Sequence, residues 1–179
     1  MKKVILAAMV LMLAGCEQTH SGATRFSLMT DPATFAAQTA SDRALEEAMA
    51  QLAMRRAKSD DVKSYAQRVV VDGLQNDKLL QVVAQQNKVG FPAPLSNADL
   101  AKIHALTDVA HDQFDRIFMD TMVDSQRNAF RNFTAAAKSA DAGISEYAKA
   151  SLPVIRDHLD NAERVDVLVG GGLGPSSGY

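Results

Sequence analysis

The stretch SDDVKSYAQRVVVDGLQNDKLLQVVAQQNKVG, residues 59–90, decides the fold, because only a helix gathers its apolar residues on one side. Val62, Tyr65 and Val69, then Leu80 and Val83, recur at the spacing of one helical face. Ser59 and Asp60 start the helix, and Gly90 with Pro92 and Pro94 beyond it should stop it. At 1.5 Å per residue such a helix is roughly 40 Å long. That length governs how everything around it can be wired.

Working outward, the preceding segment opens with Asp31 as cap and Pro32 in the first turn, and carries Phe35, Leu45, Met49 and Leu52 on one stripe to about Lys58. These two helices should form a tight hairpin. Residues 91–109 hold two prolines, a Ser96/Asn97 cap and a short apolar turn from Leu100 to Leu106. A third long helix is expected from about Ala110 to Ala140 with Phe114, Phe118, Met122 and Phe133 inward. A fourth is expected from about Ala142 to Val169 with Ile144, Tyr147, Ile155 and Leu159 inward, and Pro153 should kink it. The 19-residue linker 91–109 exceeds what a hairpin needs, yet can run the length of such a helix. The reading is all-α: a ferritin-like four-helix bundle with a short extra helix in the crossover between long helices two and three. The alternative folds residues 91–109 into a cap at one end.

Four polar residues interrupt the stripes near the middle of their helices: Glu46, Asp72, Gln126 and His158. Buried polar groups need partners, so these form a hydrogen-bonded core layer, a small divalent-metal site of carboxylates and one imidazole, or lie partly at the surface. His104, Asp108 and His111 would share a face on one continuous helix. Thr107 and Asp108 look instead like the cap of the third long helix, which would break that face. Met49, Met119 and Met122 read as core filling. Nothing in the chain has the build of a nucleophilic catalytic site, and no enzymatic activity is expected.

The two ends are of another kind. Lys2 and Lys3, the ten apolar residues Val4–Leu13, and Ala14-Gly15-Cys16 have the form of a bacterial lipoprotein signal, cleaved between Gly15 and Cys16. Residues 1–15 are the signal, lipid attaches to Cys16, and residues 16–30 form a lipidated N-terminus and flexible tether. By resemblance to other lipoproteins, Glu17 directs the protein to the outer membrane, anchored through its lipid and facing the periplasm. Residues 31–169 make the bundle domain, and residues 170–179, nearly all Gly, Ser and Pro, a disordered tail. Cys16 is the only cysteine, so lipidation leaves no thiol for a disulfide or a thiolate metal site. Loss of the signal removes two lysines and moves the formal charge from −2 to −4, with no nucleic-acid footprint.

Several landmarks also carry a resemblance: Leu52-Ala53, the run Val62-Lys63-Ser64-Tyr65-Ala66-Gln67-Arg68-Val69-Val70, Asp72, Phe114-Asp115-Arg116, Phe118-Met119-Asp120, Leu152-Pro153 and His158-Leu159. Over about residues 32–165 the chain resembles the bacterial family called domain of unknown function 4142. The resemblance implies a ferritin-like bundle, exported or lipid-anchored, in proteins described as outer-membrane proteins without an assigned activity. It also implies a metal-binding layer, which Glu46, Asp72 and His158 match. The chain departs from that pattern where Gly73 and Gln126 stand in place of histidines. Glycine offers no ligand and an amide is a weak one. The expectation is therefore an envelope lipoprotein with a binding or structural role, whose protein or envelope partner the sequence does not name and which needs no cofactor. The alternative is a protein of metal or stress homeostasis holding a divalent metal at Glu46, Asp72, His158 and Gln126.

Overall fold

Asp31 starts the first helix by accepting the Thr34 amide at 2.9 Å, with Pro32 next in the chain. The computed structural model describes residues 31–172. The signal segment, Cys16, the tether and tail residues 173–179 lie outside those residues. Five helices follow one another: α1 (Pro32–Arg56), α2 (Asp60–Gln86), α3 (Asn97–Asp108), α4 (Phe114–Ala136) and α5 (Ala142–Leu168). The fold is all-α, with no strand among the described residues. None of these helices is long and apolar enough to cross a membrane.

α1 and α2 pack along their lengths as a hairpin, and so do α4 and α5. The hairpins meet through α1 against α4 and α2 against α5. Asp115, at the start of α4, accepts the amides of Lys58 and Ser59 just after α1, at 3.1 and 2.7 Å. Phe35, near the start of α1, meets Phe133, near the end of α4, at 5.2 Å between ring centres. α1 and α4 therefore run antiparallel. Asp61 lies near Arg164 at 3.8 Å, and Asn76 donates to the Tyr147 hydroxyl at 3.2 Å, so α2 and α5 are antiparallel as well. α2 and α4 then point the same way, and residues 87–113 return the chain from one end of the molecule to the other. α3 lies beside α1 on that return path. Arg56 of α1 holds its end, donating to the carbonyls of Leu106 and Val109 at 3.1 and 2.8 Å and to that of Thr107.

Several boundaries differ from the sequence reading. α2 stops at Gln86, before Gly90: Lys88 takes the left-handed conformation at φ 58°, and the Val89 amide reaches back to the Ala84 carbonyl at 2.8 Å. This is the closure glycine usually provides. The short extra helix expected in the crossover runs Asn97–Asp108, two residues beyond Leu106, and Ser96 and Asp99 cap it reciprocally. Thr107 and Asp108 end that helix and do not cap α4. The Thr107 hydroxyl donates to the Ile103 carbonyl at 2.8 Å, a bond made within a helix. α4 accordingly begins at Phe114 and ends at Ala136, shorter at both ends than the pattern implied. α5 is continuous through Pro153.

The core is divided lengthwise. Eighteen buried residues, among them Met49, Tyr65, Phe114, Phe118 and Met122, pack around the α1–α2 turn and the start of α4. Nine, centred on Phe35, Leu80, Phe133, Ile144 and Tyr147, pack at the opposite end. The candidate site lies where the first cluster gives way to the second.

Candidate functional site

Each of the four long helices reaches that level with a polar side chain where its stripe would otherwise supply an apolar one. Glu46 follows Leu45 of the larger cluster, and Gln126 follows Val123. Asp72 follows Val69 of the larger cluster toward Leu80 of the smaller, and His158 lies between Ile155 and Ala162. Gln126 and His158 are buried, while Glu46 and Asp72 are half-buried.

The four form two pairs, one at each contact between the hairpins. Gln126 Nε2 donates to Glu46 Oε1 at 2.5 Å, and Ser125 adds a donor at 3.3 Å. On the other side His158 Nε2 lies 2.9 Å from Asp72 Oδ2, and Arg68 approaches the same carboxylate at 3.4 Å. Burial pushes the Glu46 carboxyl up to about 7, against the opposing pull of Arg43. Glu46 also lines the cavity described below. The Tyr65 hydroxyl, buried and without a well-formed hydrogen bond, is raised well above its ordinary value by burial and then by the Glu46 charge.

Gly73 has a steric reason. A Cβ at this position would clash with Nη2 and Cζ of Arg43, so the Arg43 guanidinium fills the space a side chain would take. Arg43 is 10% exposed at its side chain and is bound by Asp77 at 3.0 Å and Glu47 at 3.5 Å. An arginine from α1 thus occupies the space beside Gly73.

Beside both pairs lies a cavity of about 710 Å³ with contributions from all five helices. Phe35, Phe133 and Tyr147 line it from the smaller cluster, and Leu45, Met49 and Val69 from the larger. Glu46, Asp72, Gln126 and His158 all face it. Among the described residues, no three His, Cys, Asp or Glu side chains gather as a metal ion would need. The four residues offer two hydrogen-bonded pairs, a geometry that joins the hairpins.

His104, Asp108 and His111 are exposed, the first two on α3 and His111 in the turn after it. The sequence reading did not single out Arg43, Ser125, Asn76 or Tyr147 as polar neighbours of the site. Arg43 and Asn76 each lie within one helical turn of a residue it did single out, and that spacing was the available signal.

The model of the family described as Domain of unknown function (DUF4142) matches residues 17–165. No curated protein and no solved structure matches the chain.

Proposed function

Because the chain belongs to the DUF4142 family and its helices line a cavity, we propose that it is a lipid-anchored envelope protein that acts by binding a small ligand and not by catalysis. In this reading its helices form a ferritin-like four-helix bundle, with α3 in the crossover. Cys16, freed by cleavage after Gly15, carries the lipid that holds it at the outer membrane, periplasm-facing. The observation that carries the reading is the cavity of about 710 Å³ between two separate apolar clusters. Largely apolar walls with a few convergent polar groups are the usual build of a small-molecule site. The polar pairs support binding over structure alone, since a purely structural layer would close on itself.

The test has two parts. The full chain, expressed in a bacterium that sorts lipoproteins, should fractionate with the outer membrane and yield an acylated N-terminal peptide at Cys16, both lost in Cys16→Ser. Native mass spectrometry of the purified protein against a library of small amphiphiles should find a one-to-one complex that Ala129→Phe, filling the cavity wall, abolishes. A rise in melting temperature with iron, zinc, manganese or copper, lost in His158→Ala, would replace this reading with a metal-holding role.

A further inference from the structure

The charges around the cavity point to the kind of ligand it takes. Five carboxyls line it, against two cationic side chains. Both cations are engaged: Arg43 by Asp77 and Glu47, Lys102 by Asp99 at 3.8 Å. Of the carboxyls, Asp72 is held by His158 and Arg68, and Asp120 by Arg116 at 2.8 Å. Three make no direct ion pair among the described residues, although Arg43 draws on Glu46 and Lys102 on Asp42 at longer range. Asp124 makes no ion pair among the described residues, Asp42 accepts only the neutral Gln38 amide at 2.8 Å, and Glu46 is met at Oε1 alone, by two neutral donors. Glu46 Oε2 is left for whatever enters.

The remaining wall is aromatic and aliphatic. Phe35 and Phe133 stand edge to face at 5.2 Å on one side, with Leu45 and Met49 on the other. An ammonium group would favour the ionised form of Glu46, which burial otherwise holds protonated up to about 7, and an anionic ligand would meet repulsion from the acidic wall. A molecule with one cationic end and a compact apolar body meets both halves of the lining.

We propose that this cavity binds an amphipathic organic cation, an amine whose charged end is held by Glu46, Asp124 and Asp42 and whose apolar body packs against Phe35, Leu45, Met49 and Phe133. The inference rests on the reading of the chain as a binding protein and names its ligand class.

The experiment uses the purified full-length, lipidated protein in nanodiscs, with empty nanodiscs subtracted, titrated with three probes that share one body: phenylbutylamine, phenylbutanol and phenylbutyrate. The amine should bind about tenfold or more tighter than the alcohol, with the carboxylate weakest. Glu46→Gln combined with Asp124→Asn should erase the amine's advantage and leave the alcohol's affinity within about twofold, with circular dichroism confirming the fold. Ala129→Phe should abolish all three. If the alcohol or the carboxylate equals or exceeds the amine, the inference falls while the binding reading stands. If no probe binds, both fall, and amine binding that survives Ala129→Phe would place the site elsewhere and overturn the inference.

Discussion

A carboxyl pushed up to about 7, as Glu46 is, keeps its proton in the folded chain across a range where the unfolded chain has released it. The unfolded state therefore binds fewer protons between the ordinary value of 4.5 and about 7, and stability falls as pH rises through that window. Asp166, 1% exposed and pushed up to about 6 by burial and then by neighbouring Asp120, acts with the same sign from 3.8 upward. Urea unfolding between about pH 5 and pH 8 should show this decline. Glu46→Gln should remove its upper part, on the order of 1–2 kcal/mol after screening by cavity water. A variant still as steep as wild type above pH 6 would contradict the assignment to Glu46. At Gly73, exchange for alanine in a helix interior ordinarily stabilises by about 0.5–1 kcal/mol. Here the added carbon displaces the Arg43 guanidinium from Asp77. Gly73→Ala should therefore lose stability in wild type and gain it in an Arg43→Ala background, a coupling that a double-mutant cycle measures.

Among the elements, α3 relies most on one residue outside itself. Two of its own side chains bury well, Asp99 and Leu106, so little apolar area fixes it. Its N-terminus is closed by its own capping box, but its last carbonyls are met by Arg56 from α1, whose guanidinium also stacks on Phe114 at 4.7 Å. Charged donors at a helix C-terminus complement its dipole as well as its orphan carbonyls. Arg56→Ala should cost about 2–3 kcal/mol in thermal unfolding. Arg56→Lys should recover less than half of that, because an ammonium cannot span three carbonyls as a planar fork does. Full recovery by lysine would mean that charge alone is at work. The helices themselves follow from local features of the chain: Asp31 with Pro32, Ser96 with Asp99, and Asp141, which accepts the Ile144 amide at 2.9 Å. The ends read least well were those closed without their usual residue, as at Lys88, or with a residue that also suits a helix start, as at Thr107 and Asp108.

At the scale of the molecule, the division of the core implies uneven stability. The cluster around the α1–α2 turn contains twice as many buried residues as the one at the other end, and burial is the main stabilising contribution. Hydrogen exchange should show greater protection in the second half of α1, the first half of α2 and the first half of α4 than in the opposite halves. Equal protection at both ends would mean that the cavity level does not separate two units. The sequence by itself was enough for the helices, for their inward faces and for Glu46, Asp72, Gln126 and His158 as breaks in those faces, because a period of 3.6 residues and a cap are local properties of the chain. The tertiary structure alone decided that these four residues form two separate pairs, that Arg43 fills the space above Gly73, and that a cavity remains between the clusters. Those outcomes depend on the rotation and axial offset of helices brought together from distant parts of the chain, and no local spacing encodes them.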